Sequence, residues 1–388
     1  MPRYLPAIKS RGRLPAAPAV GHLPPLSLQP AGFPWRRTGV IDEAQQDTQT
    51  RSAQPGGRRF CVTLAIMPAA ELEVENLKVT FSTPDGELTA VNGIGYRLFR
   101  GETLAIVGES GCGKSVGAMA LLGLIPRPPG KIAGGEIRLG SRAIPAASVR
   151  ELRTLRGKEI AMIFQDPMTS LNPVFTIGEQ IMETILRHTA LSRRRAREKT
   201  ADLLRRVEID RLSVYPHQLS GGMRQRAMIA MALSCNPRIL IADEPTTALD
   251  VLIQAQILGL LNELKRETDL SVILISHDLG VVAEVAQRVL VMYAGEIVES
   301  GPVQDLFASP LHPYTEGLLN SLPRLAATRK RRQRLTEIKG SVPSLNEMPG
   351  GCPFHPRCPS VMERCKTQKP ALLEIRPRHQ TACWLHEA

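Results

Sequence analysis

"TLAIVGESGCGKS", residues 103–115, decides how the rest of the chain is read. A short apolar run enters a glycine-rich stretch, and "GESGCGKS", Gly108 to Ser115, has the spacing G-x-x-x-x-G-K-[ST]. Glycines at those positions let successive backbone N–H groups turn inward and cradle phosphate oxygens. Lys114 then reaches the β- and γ-phosphates, Ser115 offers its hydroxyl to Mg²⁺, and the helix that follows adds its positive end. Glu109, Ser110, Gly111, Cys112 and Gly113 complete the loop. Cys112 occupies a position open to many residues, although its oxidation would block a nucleotide. A strand before the loop and a helix ("AMALLGLI") after it place the motif in an α/β core.

Downstream, "ILIADEP" (239–245) is a hydrophobic strand ending in two carboxylates. Asp243 at the strand's end can hold the Mg²⁺ shell. Glu244, one residue on, is placed to orient or deprotonate an attacking water. Between loop and acidic strand lies "LSGGMRQR" (219–226), where Ser220, Gly221 and Gly222 lead into a helix. That arrangement predicts a second phosphate-binding terminus in a chain that already has one.

In combination these motifs make residues 71–300 resemble the ATP-binding subunit of an ABC transporter. The resemblance implies a P-loop NTPase (RecA-like) core with an antiparallel β subdomain and a helical subdomain. It assigns Gln165 of "IFQDP" to the Q-loop, which touches Mg²⁺ and faces the membrane partner. Ala248, Leu249 and Asp250 match the D-loop, and His277 of "ISHD" matches the switch histidine at the γ-phosphate. Phe81, before "STPDG", matches the aromatic that stacks on adenine. In such proteins two ATPase domains close head to tail around two ATP molecules, so the "LSGG" of one completes the phosphate loop of the other. Catalysis is then assigned to Glu244, Gln165 and His277.

The local patterns agree with an α/β chain. "LEVENLKVTF" and the segment around "AVNGIGYRL" have strand character with "TPDG" as the turn, and "RILIAD" and "SVILISHD" read as buried strands. From Gly178 to about Glu208 the reading is helical, a helical subdomain over about 167–225. The ATPase domain is expected to span 67–308.

Hydrophobic residues make up 43% of the 388, enough for a sizeable core. No apolar run reaches the eighteen residues that a membrane-spanning helix needs. The longest candidate carries His277, Asp278, Glu284 and Arg288. The net charge of +12 is concentrated in two places. Residues 1–66 hold nine Lys/Arg against three Asp/Glu, and residues 324–339 hold seven Lys/Arg against one Glu, a net of +6 each. No aromatic residues interleave with the charges of 324–339 as stacking platforms, and nucleic acid is not an expected partner. With nine prolines and no sustained period, residues 1–66 are expected to be a disordered or mis-assigned extension ahead of Met67. Deleting them is expected to leave nucleotide binding intact.

The C-terminal stretch has "SPLHPYTEGLLNSLP" (309–323), "GGCPFHPRCPSVMERC" (350–365) and "TACWLHEA" (381–388). This succession resembles the C-terminal extension of ATPase subunits of oligopeptide and dipeptide importers, nickel-type relatives included, so 309–388 is expected to be a small domain of that kind. It gathers Cys352, Cys358, Cys365 and Cys383. Disulfides are disfavoured in a reducing cytosol. Structural zinc usually brings ligands in close C-x₂₋₄-C pairs, which these are not, although His355, His379 and His386 are further candidate ligands. Unmetallated core cysteines are another reading. A [4Fe–4S] cluster accepts varied spacing, and the resemblance favours it.

The resemblance implies an ATP- and Mg²⁺-dependent ATPase, peripheral at the cytoplasmic face of the inner membrane, that powers import of peptides or a related small solute. Implied partners are two permease subunits, an extracytoplasmic solute-binding protein and a second, non-identical ATPase subunit. A soluble ABC ATPase acting on ribosomes or DNA is the alternative. Such proteins usually carry two cores in one chain or long insertions, whereas here each motif occurs once. Dipeptide, longer peptide, nickel chelate and glutathione all remain open as substrates.

Overall fold

The computed structural model describes residues 69–144, 149–247, 249–321 and 337–387. The expectations for residues 1–66, for Ala248 and for most of the basic run at 324–339 lie outside the described residues.

Two long antiparallel strands come first, β1 (Ala70–Thr83) and β2 (Gly86–Phe99), and they turn at Pro84–Asp85, where the sequence places its turn. β3 (Thr103–Val107) leads through the glycine loop into α1 (Lys114–Leu121). β4 (Gly130–Leu139) and β5 (Arg142–Ala143) then complete a four-stranded antiparallel sheet of order β2-β1-β4-β5. After α2 (Val149–Leu155) and β6 (Ile160–Ile163) comes a helical stretch: α3 (Pro167–Ser170), α4 (Ile177–His188), α5 (Arg193–Arg206) and α6 (Gly221–Leu233). The chain returns to sheet with β7 (Ile239–Asp243), α7 (Val251–Thr268), β8 (Ser271–Ile275), α8 (Leu279–Val285) and β9 (Arg288–Tyr293). Beyond them lie β10 (Glu296–Pro302), α9 (Val303–Ala308), α10 (Pro313–Asn320), α11 (Glu363–Thr367), β11 (Leu373–Arg376) and β12 (His379–Thr381).

The second sheet has eight strands in the order β11-β12-β10-β9-β3-β8-β7-β6. Strands β9, β3, β8, β7 and β6 run parallel, and the remaining pairs are antiparallel. Every residue of β3, β7 and β8 is buried. A parallel strand covered on both faces reads as an unbroken apolar run, which is how "TLAIV", "ILIAD" and "SVILI" read.

The helical stretch is held by caps and an apolar face. Thr176 accepts from the Glu179 backbone N–H while the Glu179 carboxylate accepts from that of Thr176, a reciprocal cap on α4. Ile177, Ile181 and Ile185 recur every fourth residue and are buried. Each contributes about 1.5–3 kcal/mol relative to exposure. Ser192, Ser220 and Asp250 cap α5, α6 and α7 one way, each side chain accepting from the backbone N–H three residues on.

The C-terminal extension joins the core through the sheet itself. β12 pairs with β10, Glu299 opposite Thr381 and Ser300 opposite Gln380. Glu299 is fully buried there, and its carboxylate accepts from the backbone N–H groups of Leu311 and His312, 2.8 Å each, with His379 Nε2 at 2.7 Å. Against this sits an aromatic cluster of Tyr293, Tyr314 and Phe354, all fully buried, with ring centroids 4.7–5.3 Å apart.

Candidate ATP site

Four neighbouring parallel strands, β3, β8, β7 and β6, present their carboxyl ends side by side. Each end delivers one of the groups singled out in the sequence. β3 delivers the loop 108–115, β8 His277, β7 Asp243 and Glu244, and β6 Gln165. Ligands of open α/β sheets bind beyond the carboxyl ends of the strands.

The loop can take its shape only with glycine. Gly108 has φ +151° and its missing Cβ would lie 2.2 Å from the Met292 carbonyl oxygen. Gly113 has φ +98° and would meet the Ala90 carbonyl oxygen at 2.4 Å. Lys114 is 6% exposed, and its ammonium donates to the carbonyls of Gly108 (2.8 Å) and Glu109 (2.9 Å), folded back over the loop. Cys112 is buried beneath, its Sγ 3.7 Å from Lys114 Nζ; burial pushes its thiol up, and the ammonium opposes that.

Ser115 Oγ donates to Asp243 Oδ1 at 3.0 Å. Burial raises the Asp243 carboxyl above its ordinary value; the Ser115 hydrogen bond pulls it down, and the Glu244 charge adds to the rise. A hydroxyl and a carboxylate side by side are hard oxygen donors, the set that suits Mg²⁺.

The three residues assigned to catalysis converge on one oxygen. Glu244 Oε2 accepts from Gln165 Nε2 at 3.0 Å and lies 3.3 Å from His277 Nδ1. Thr247, which the sequence reading passed over, donates its hydroxyl to the same oxygen at 2.9 Å. Glu244 itself has φ +48°, rare for a side-chain-bearing residue, and its backbone N–H donates to Ile275 at the end of β8.

Other candidates stand apart from this cluster. Ser220 and Gly221 are exposed at the start of α6, and among the described residues no hydrogen bond joins them to loop 108–115. Gly222 faces Ile253 of α7, where a Cβ would come 2.7 Å from Ile253 Cγ2. Asp250 caps α7 and accepts from the Ile253 N–H. Phe81 lies in the antiparallel sheet, half-buried between Leu88 and Gly130.

Cys352, Cys358, Cys365 and Cys383 line one small cavity, together with Phe354, Pro370 and Trp384. All four are free thiols. Burial raises Cys352, Cys358 and Cys383, Cys352 to about 11. The tail's cysteines are thus brought together, but among the described residues no group of three or more His, Cys, Asp or Glu is arranged to hold a metal ion. The iron–sulfur expectation finds its donors here and not its ligand geometry.

Residues 91–247 match the ABC transporter family, and residues 298–365 match the oligopeptide/dipeptide transporter C-terminal region. The oligopeptide transport ATP-binding protein OppD of Salmonella typhimurium is 53% identical over 317 residues, 81% of this chain and 93% of that one. The chain belongs to the ATP-binding proteins of oligopeptide and dipeptide ABC transporters. Within this family, DppD of Bacillus subtilis, a dipeptide transport ATP-binding protein, is 52% identical over 320 residues, 81% of this chain and 95% of that one. AppD of the same organism, an oligopeptide transport ATP-binding protein, is 49% identical over 320 residues, 81% and 97%. Among solved structures, the dimeric post-hydrolysis state of the ATP-binding cassette MJ0796 with ADP and Pi superposes with a TM-score of 0.55 at 28% identity, covering 60% of this chain and 98% of that one. Family members are ATPases that use ATP and Mg²⁺, and so is this protein.

Proposed function

We propose that this ATPase energises import of oligopeptides or dipeptides, working on the cytoplasmic face of the inner membrane beneath two permease subunits supplied by a solute-binding protein. The observation that carries the reading is the row of strand ends that sets the phosphate loop, Ser115–Asp243 and Glu244–Gln165–His277 in one line. No helix among the described residues is long and apolar enough to cross a membrane, so passage of a solute falls to other subunits. Exposed Phe164, Met168, Val174 and Phe175, around the Q-loop and the start of α4, are apolar surface for a permease to cover.

Lys114 and the loop N–H groups bind the triphosphate. Ser115 and Asp243 would hold Mg²⁺, which neutralises charge on the phosphates. Glu244 orients the attacking water and takes its proton; Gln165, Thr247 and His277 fix that carboxylate. Ser220 and Gly221, exposed on α6, complete the site of a second ATPase subunit, and that subunit's counterparts complete this one. Closure of the pair then gates hydrolysis. Glu244→Gln is expected to keep ATP affinity while kcat falls about 10²–10⁴-fold, the share usually supplied by a general base. Near-normal turnover would remove Glu244 from that role. Trapped with ATP in native membranes, the same variant should co-purify with two permeases and a second, non-identical ATPase. Ribosomal or DNA-repair proteins in their place would overturn the import reading.

We further propose that the four thiols of the C-terminal pocket are ligands of a structural [4Fe–4S] cluster. Four soft donors without a carboxylate among them suit iron–sulfur or zinc. Four iron and four acid-labile sulfide per anaerobically purified chain is the expected analysis; zinc without sulfide, or neither metal, defeats it.

A further inference from the structure

We infer that Arg357 and Tyr314, both in the C-terminal extension, are positioning residues for ATP binding: they hold the phosphate loop in register and neutralise its one acidic side chain. The inference rests on reading residues 108–115 as the ATP site.

The loop "GESGCGKS" must wrap a polyanion, yet it carries a carboxylate, Glu109. Arg357 answers that charge with both prongs of its fork. Its Nη1 donates to Glu109 Oε2 at 2.6 Å and its Nη2 to Oε1 at 2.9 Å. A bidentate pair of this kind fixes direction as well as charge. The Arg357 side chain is only 4% exposed. It is also held from behind: Nε donates to the Lys339 carbonyl (3.0 Å) and Nη2 to the Gly340 carbonyl (3.2 Å). Its guanidinium lies over the rings of Tyr293 and Phe354, at 5.8 and 6.0 Å from their centroids. An arginine anchored this way cannot follow Glu109; the loop must come to it.

Tyr314 holds the same residue by its backbone. The Glu109 N–H donates to the Tyr314 hydroxyl oxygen at 2.8 Å. Tyr314 is fully buried in the aromatic cluster, and burial pushes its phenol far above the ordinary value, so it stays protonated at any working pH. With the Glu109 carbonyl accepting from Lys114 Nζ and, at 3.4 Å, from the Cys112 N–H, every polar group of Glu109 has a partner within the protein. The N–H groups of Ser110, Gly111 and Gly113 are left to meet phosphate. Without Arg357, the Glu109 charge would face the triphosphate unpaired, and the loop would lose its rear support. Both effects weaken ATP binding and leave the attack of water on the γ-phosphate, which Glu244 assists as base, untouched.

The test is ATP affinity and turnover of the full-length chain with Arg357 and Glu109 varied singly and together. Arg357→Met is expected to raise the ATP Kd and KM about tenfold, the scale of one lost charge pair partly screened by solvent, with kcat at saturation within about twofold. Adding Glu109→Gln to Arg357→Met should recover most of that affinity, because the stranded charge is removed. A staple that merely ties the extension to the core would show no such rescue. Unchanged affinity in Arg357→Met, or a double variant as weak as Arg357→Met alone, overturns the inference. Should Arg357→Met fail to fold, Arg357→Lys decides: it keeps charge and loses the fork, so Kd should rise about threefold, and an unchanged Kd again overturns the idea. Tyr314→Phe should raise Kd in the same direction, and a wild-type value removes Tyr314 from the role. Lys114→Ala separates the two readings. If it still binds ATP normally, the site reading itself fails; if it does not, and Arg357→Met binds like wild type, only the present inference fails.

Discussion

Glu244 is the residue on which the site turns, and its geometry is restrictive. A left-handed backbone at φ +48° puts its carboxylate where Gln165, Thr247 and His277 all reach the same oxygen. Such a conformation costs of order 1–3 kcal/mol and persists only where surroundings enforce it; here the hydrogen bond from its N–H to Ile275 is one such constraint. Thr247 contributes a directed hydrogen bond and no charge. Thr247→Val is therefore expected to leave the ATP Kd unchanged and lower kcat about tenfold or more, the scale of one hydrogen bond to a charged group. Single-turnover hydrolysis at saturating ATP measures it, and unchanged turnover would make Thr247 incidental. The apolar strand before it pointed to Glu244, whereas Gln165 and His277 came from the resemblance; the structure brings the three side chains together. Thr247 was not legible, since a threonine three residues past a carboxylate marks only a turn until its hydroxyl is seen on Oε2.

Among the elements, α10 is tied to pH by the residue that caps it. His312 Nδ1 accepts from the Tyr314 N–H at 3.0 Å, which requires a neutral ring. Complete burial, helped by the nearby His386, lowers His312 from 6.5 to about 3. The unfolded chain therefore binds this proton between about pH 6.5 and 3 while the folded chain does not. Stability is full above pH 6.5 and is lost progressively as pH falls toward 3. Denaturant midpoints of the full chain should drop across that window. His312→Asn, which keeps a capping oxygen and cannot charge, should flatten the decline; an identical slope in the variant would exclude His312 as its source. The strands behind the site were readable because buried parallel strands are apolar throughout. β11 and β12 were not: three or four residues long, partly polar, they exist because β10 offers an edge some eighty positions earlier. Pairing at that distance leaves no local period in the sequence.

For the whole molecule, the same pairing makes core and extension one sheet. A chain cut after Ala308 would leave the backbone of β10 unpaired on one side and Glu299 without Leu311, His312 and His379. An unprotected edge recruits other edges, and a buried carboxylate stripped of its partners is costly. The truncated protein is expected to be less stable by several kcal/mol and to aggregate, as light scattering after mild heating would reveal; a soluble truncation with an unchanged melting temperature would refute this.

Glu109 and Arg357 lie 248 positions apart, and translation runs one way. A ribosome releases the phosphate loop long before the guanidinium that steadies it, so a half-made chain would meet cellular ATP with its loop slack and its acidic side chain bare. Tight nucleotide binding would then come only once the tail has docked, so the last segment made would set the ATP affinity of the first.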